Sequence, residues 1–409
     1  MTAGRPGLED VDRRGTGPLA GIRILDLSIA LTGPYAVALL GDQGADVVKV
    51  ERPGLGDIGR WVGVSVNGMS ALYQACNRGK RSIAVDAGTP AGRDIVRLLA
   101  AHADVIVENF RPGVMDRLGL GYQELRQDHE DLIYVSLTGF GPDGPYAGKS
   151  AYDTVIQAYA GIAANQADPV SGEPRFLNQT VADKVTALVG AQAITAALFA
   201  RERGAGGQHV QLSMLDAVVS FLWADAAGNE VLLAADGTRP SSFVANFKPF
   251  RFSDGWGIAT PTSDADFAGM CRALGVEGYD DPRVATIGER NKHRDLTRQI
   301  MDRVYAAAAT MTTAEAMGRM ERERVPCGVV LTPAELSDDP HARAIGLLVD
   351  DIHPVAGPIR QPRHPIRFPG TPATLGGPAP MLGQHTDDIL TELGLGDRVA
   401  ALRADHVVT

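Results

Sequence analysis

Ile22-Arg-Ile-Leu-Asp-Leu-Ser-Ile-Ala-Leu-Thr-Gly-Pro-Tyr-Ala-Val-Ala-Leu-Leu-Gly-Asp-Gln-Gly-Ala-Asp-Val-Val-Lys-Val-Glu51 decides the fold. Residues 22–28 form a short apolar run suited to a buried parallel strand. Residues 34–41 have helical spacing with Gly41 at the stop, and residues 46–51 are a second strand, so the stretch reads as one βαβ unit. The alternation continues with strands at 81–85, 105–108, 132–137 and 208–213, and with a helix at 90–101 that Thr89 is placed to cap. Such alternation implies a mostly parallel sheet covered by helices.

The expected fold class is α/β. A large Rossmann-like domain with a mostly parallel sheet is built from N- and C-terminal segments, and a smaller α+β domain is inserted between them. The expected boundaries are a flexible extension over 1–17, the large domain over 18–224, the small domain over 225–330, and a linker with a returning C-terminal segment over 331–409. In the large domain a long helix is expected from Asp183 to Glu202, closed by a basic turn and Gly204, followed by a helix over 215–233. In the small domain short strands are expected within 240–264 and helices over 265–320, with a charged loop at 288–293. Beyond it come a helix over 334–345 and a proline-rich, extended tail over 352–380.

The chain has 409 residues, 44% apolar and 22% charged, which is ordinary for a globular protein, and a formal net charge of −10. That charge argues against a general nucleic-acid binder while permitting a local basic pocket. Cys76, Cys271 and Cys327 lack disulfide or zinc spacing. Residues 1–17 lack the apolar core of a signal peptide, and the apolar stretch 185–200 falls short of a membrane span. The expectations are a cytoplasmic location, no membrane segment and no metal.

The loop 29–34 has one glycine and no G-x-G-x-x-G, so a dinucleotide dehydrogenase is poorly supported. Arg52, just past the second strand, suits a phosphate on an adenosine ribose, as in NADP or coenzyme A. Three cations gather in Asn77-Arg-Gly-Lys-Arg-Ser82. Glu108-Asn-Phe-Arg-Pro-Gly113 and Arg117 follow another strand. Parallel-sheet enzymes bind ligands outside such strand ends. Asp183 begins a nearly uncharged helical pattern, where a carboxylate serves as a cap or as a nucleophile.

Pro18-Leu-Ala-Gly-Ile-Arg-Ile-Leu-Asp-Leu27, Gly44-Ala-Asp-Val-Val-Lys-Val-Glu-Arg-Pro-Gly54, Asn77-Arg-Gly-Lys-Arg-Ser-Ile83, Glu108-Asn-Phe-Arg-Pro-Gly113, Gly139-Phe-Gly-Pro-Asp-Gly-Pro145, Met214-Leu-Asp216 and Ala379-Pro-Met-Leu-Gly-Gln-His-Thr386 together resemble the class III CoA-transferase family. The resemblance covers nearly the whole chain after residue 17. It implies that Asp183 is the catalytic aspartate and that Arg52, Lys80 and Arg117 meet the adenosine phosphates. It further implies CoA contacts at Leu31, Thr32, Asn77, Arg78, Gly79, Asn109, Phe110, Arg111, Ser150, Ala151, Tyr152, Asp153 and Met214.

The related racemases carry a His before the Asp that matches Asp153. Tyr152 stands there instead, which removes one of the two bases a racemase needs and favours a transferase. The implied activity is acyl-CoA:carboxylate CoA transfer through aspartyl anhydride and aspartyl-CoA thioester intermediates. Coenzyme A then serves as substrate, and no cofactor is held permanently. A racemase-like enzyme or a non-catalytic acyl-CoA binding protein are the alternatives. The resemblance also implies a homodimer of interlocked subunits. The region 252–262 lacks the glycine-rich run of formyl-CoA transferase, so oxalate and formate are not supported. Lys184 is as consistent with an exposed helix start as with a second substrate carboxylate, and structural roles are the default for His209 and His385.

Overall fold

A computed structural model describes residues 16–234, 244 and 247–409. The extension expected over 1–17 falls, up to residue 15, outside the described residues, as does part of the stretch beyond Gly237. The chain divides into two compact units. One takes in the chain to Ala224 together with Gly346–Thr409, and the other is Asp225–Ile345, which reaches past the boundary expected at 330.

The first unit is built on six strands: β1 (Arg23–Asp26), β2 (Asp46–Glu51), β3 (Arg81–Ala84), β4 (Val105–Glu108), β5 (Ile133–Thr138) and β6 (Gln208–Ser213). They lie in the order β3-β2-β1-β4-β5-β6, and each neighbouring pair is parallel. This is the doubly wound order, in which the chain reverses direction across the sheet between β1 and β4 and leaves a crevice at their C-terminal ends.

Side chains alternate across the strands. Ile24, Val105, Val107, Ile133 and Val135 face α1 (Thr32–Asp42) and α5 (Val181–Ala200). Leu25, Ile106 and Tyr134 face α3 (Pro90–Ala101) and the C-terminal residues Ile389, Leu390 and Leu402. The other helices of this unit used below are α2 (Ala71–Asn77), α4 (Asp153–Tyr159) and α6 (Met214–Trp223).

Gly33 shows why the β1–α1 turn needs a glycine, because a Cβ there would lie 2.3 Å from the Ser28 side chain. Thr89 caps α3 as expected, its hydroxyl accepting from Gly92 N. Helix α5 ends in a π-turn over Arg201–Ala205 with Gly204 left-handed at φ 90°. By length and apolarity Val181–Ala205 would suffice to cross a bilayer, contrary to the shorter stretch expected. Ala187, Ala191, Ile194, Ala197 and Leu198 pack against the sheet, so a core role accounts for the composition.

The helix expected over 215–233 is two, α6 and a single turn at Gly228–Val231. The tail expected to be extended over 352–380 contains instead an antiparallel hairpin, Leu348–His353 with Gly357–Pro362. His353 Nδ1 accepts from Val355 N and Ala356 N to close its turn, and Pro358 and Pro362 are tolerated because the pair has no further strand neighbours among the described residues. Past it the chain returns to the sheet: Gly79 N donates to Gly377 O, Ser82 N to His385 Nδ1 and Asp86 N to Val407 O.

The second unit has a three-stranded antiparallel sheet, Cys327–Val329, Trp256–Ala259 and Phe250–Arg251, with helices Asp264–Ala273, Arg294–Ala308 and Thr313–Arg322 around Phe250, Met270, Val304 and Met320. The charged loop expected at 288–293 is a helix, Ile287–Lys292, whose start Thr286 caps by accepting from Glu289 N. The single helix expected over 334–345 is broken into Pro333–Leu336 and Pro340–Ala344, because Pro340 cannot donate to a continuing helix while Asp339 caps a new one.

Candidate active site

Asp26 and Glu51 end β1 and β2, and both are buried with their cations. Glu51 accepts from Arg60 Nη2 (2.7 Å) and Nε (2.8 Å), Tyr73 OH (2.9 Å), Ser82 Oγ (2.7 Å) and Asp57 N (3.0 Å). Burial opposes its charge, but the Arg60 bonds and the positive field of Lys49 outweigh that and hold the carboxyl down at about 2. Lys49 Nζ lies 2.9 Å from Asp57 Oδ2 and 3.7 Å from Asp26 Oδ2, and donates to Ser28 O at 2.7 Å.

This buried set fixes the loop after β1. Asp57 Oδ1 accepts from Ala30 N at 2.7 Å, holding Ala30 in the left-handed region at φ 67°. From the other side, Asn109 accepts from Ile29 N and donates to Ile29 O, both at 2.8 Å. The β1 and β4 loops are thereby clamped across the crevice, and Leu31 and Thr32 are delivered to the start of α1.

Asp183 lies where that start meets α5. The Thr32 hydroxyl donates to Asp183 Oδ1, and Asp183 N donates to Asp153 Oδ2 at 3.0 Å. Asp183 is therefore in the first turn and not the N-cap, which is Thr180 and makes no side-chain cap bond. The capping acceptor comes from Asp153, thirty positions earlier. Partial burial pushes the Asp183 carboxyl up to about 6; the Thr32 bond opposes this and the Asp153 charge adds to it. Ala151 and Met214 pack beside it in a small cluster with Ala182, Ile156 and Val218.

The structure thus brings together Leu31, Thr32, Asn109, Ala151, Asp153, Asp183 and Met214 by bonds or packing. Ser150 and Tyr152 are exposed beside them, Tyr152 at 78%. Arg52 and Arg117 are exposed and make no ion pair among the described residues. Phe110 is half-buried against the α3 side of the sheet.

Lys80, Arg78 and Asn77 are turned to the protein's own groups. Lys80 is 3% exposed, with Nζ donating to Asp26 Oδ2 (2.7 Å), Pro34 O (2.8 Å) and Asn77 Oδ1 (2.9 Å). Burial brings its pKa down to about 8 even beside Asp26. Arg78 Nη2 lies 2.6 Å from Asp42 Oδ2, and Asn77 is fully buried. Gly79 is covered closely by Gly376, which a Cβ would approach to 2.6 Å. These side chains build the scaffold under the site.

Sequence reasoning missed Gln157, fully buried, whose signal was the i, i+4 spacing from Asp153 on one helix face. It also missed a cleft of about 190 Å³ lined by Glu108, Arg111, Asp116, Tyr122, Ser136 and His209. Burial pushes Glu108 up to about 7 there, and His209 Nε2 lies 2.9 Å from Ser136 Oγ.

CoA-transferase family III is the family whose pattern matches, over residues 19–386. The chain is 36% identical to succinate–glutarate CoA-transferase of Agrobacterium fabrum over 94% of its length and 97% of the relative's. It is 32% identical to succinyl-CoA–D-citramalate CoA-transferase of Chloroflexus aurantiacus, covering 97% and 99%. A crystal structure of a CAIB/BAIF family protein from Brucella suis superposes with a TM-score of 0.79 at 34% identity, over 92% of this chain and 99% of that one. A doubly wound sheet, a carboxylate at the crevice end of α5 and this breadth of similarity agree that the chain belongs to CoA-transferase family III.

Proposed function

We propose that this protein transfers CoA between an acyl-CoA donor and a short dicarboxylic acid, with Asp183 as the covalent carrier. The observation that carries the reading is the Asp183 carboxylate, half-buried at the crevice end of α5 and bonded to Thr32 from the opposing helix start. A carboxyl titrating at about 6 is ionised at neutral pH yet more basic than an ordinary one, which suits a nucleophile. The relatives named for glutarate and citramalate support a dicarboxylate.

An Asp183 oxygen attacks the thioester carbonyl and expels CoA thiolate, leaving an acyl-aspartyl anhydride. The thiolate then attacks the aspartyl carbonyl, releasing the donor acid and leaving an aspartyl-CoA thioester. The acceptor carboxylate attacks that thioester, forming a new anhydride and freeing the thiolate. Attack of the thiolate on the acceptor's acyl carbonyl yields the new acyl-CoA and restores the Asp183 carboxylate. The positive end of α5 favours negative charge in each step. Lys184 offers no support for the dicarboxylate, since its Nζ donates to Gln179 Oε1 at 3.0 Å.

The test is CoA exchange from succinyl-CoA to a panel of short mono- and dicarboxylates. Faster transfer to dicarboxylates is expected, and transfer confined to monocarboxylates would reject the proposed acceptor class.

With Lys80 and Arg78 committed to buried acids, Arg52 and Arg117 are left for the CoA phosphates. Arg52→Gln is expected to weaken CoA relative to 3′-dephospho-CoA by roughly 1–3 kcal/mol. Titration calorimetry with both ligands checks it, and an equal loss for both would show that Arg52 does not read that phosphate.

A further inference from the structure

Asp153 is 5% exposed and Gln157 fully buried, one turn apart on α4. Gln157 Nε2 donates to Asp153 Oδ1 at 2.5 Å and to Gln179 O at 3.0 Å, while its Oε1 accepts from Leu177 N at 3.0 Å. The amide therefore ties both ends of the segment leading into α5. The other Asp153 oxygen takes the backbone N–H of Asp183.

We infer that Asp153 and Gln157 are a positioning pair that holds the reacting carboxylate in place through the backbone of Asp183 and the segment before it. The inference rests on Asp183 being the nucleophile. It assigns Asp153 to the protein's own helix start, where the family resemblance placed it against CoA. An acceptor supplied from α4 fixes the first turn of α5 without occupying the Asp183 side chain, which stays directed at Thr32.

Asp153 also bears on the electrostatics of Asp183, after burial and the Thr32 bond. Asp153 contributes negative charge against Asp183 from α4. On α5 itself Lys184 is turned to Gln179, on α6 Asp216 takes the Ser213 hydroxyl, on β6 His209 faces Ser136, and the start of α1 brings only the neutral Thr32.

Two variants separate charge from geometry, each checked for folding by thermal unfolding. Asp153→Asn keeps the shape and an acceptor but removes the charge, so the acid limb of the kcat–pH profile, expected near 6 in the wild type, should move down by about one pH unit. Gln157→Met keeps the charge but frees the segment, so kcat should fall about 100-fold with KM for the acyl-CoA nearly unchanged and the limb in place. An unmoved limb in Asp153→Asn, or unchanged kcat in Gln157→Met, overturns the pair. Hydroxylamine trapping on wild-type protein runs alongside. Trapping at Asp183 with an unmoved limb refutes the pair alone, whereas turnover without trapping refutes the nucleophile and with it the pair.

Discussion

Asp183→Asn is expected to lose CoA transfer by about 10⁴-fold or more while gaining stability. An amide cannot form the anhydride, so the covalent route closes and only uncatalysed exchange remains. The gain in stability follows from the same burial that raises the carboxyl. The folded protein binds the Asp183 proton up to about pH 6, the unfolded chain only to its ordinary value of 3.8. Ionisation therefore costs the folded state stability that begins to be lost as pH rises past the lower value and is fully lost above the higher one. Asn carries no such cost and can still accept from Thr32. The variant should be more stable by roughly 1–3 kcal/mol at pH 7, with the difference vanishing in acid. Urea unfolding across pH checks the sign, and a variant less stable at pH 7 would contradict the cost of burying this carboxylate.

Lys49→Met should show the largest loss of stability. Lys49 is fully buried between Asp26 and Asp57, and both carboxylates hold its ammonium well above the usual lysine range against the cost of burial. Removing it leaves Lys80 as the remaining cation on Asp26 and leaves Asp57 without its ion pair. Loss of one partner from a buried network typically costs about 3–5 kcal/mol. The gap from wild type should narrow on acidification, as the stranded carboxylates protonate. Because Asp57 also holds Ala30 and thus the approach to Thr32, activity should fall before the protein unfolds. Equilibrium denaturation measures the first effect, and a loss under about 1 kcal/mol would show that the network is not coupled as described.

The sheet was legible because its strands are apolar runs punctuated by glycine and by helix caps. Val105–Glu108 and Asp46–Glu51 match their expected limits, and Thr89 announced α3. The hairpin Leu348–Pro362 was not, since prolines in its second strand argue locally against pairing and only the partner strand reveals it. The helix at Ile287–Lys292 was hidden by charge, which reads as a loop until Thr286 is recognised as its cap.

Asp183 and Thr32 were both candidates by residue, and the structure places them in contact. Their contact spans 151 positions and no local pattern encodes it. The same distance hides the ion pair of Lys80, whose partner Asp26 lies 54 positions earlier. The cap reading of Asp183 failed for a related reason, because the acceptor that caps α5 is supplied by Asp153 on another helix.

On the proposed route the acyl group passes through the carboxylate of Asp183. The most direct measurement incubates the protein with succinyl-CoA and hydroxylamine and maps the modified carboxyl by peptide mass spectrometry. A hydroxamate at Asp183 that depends on the thioester, accumulates as transfer activity is lost, and is absent from Asp183→Asn is the expected result. Undiminished transfer with Asp183 unmodified, or modification confined to another carboxylate, would contradict it.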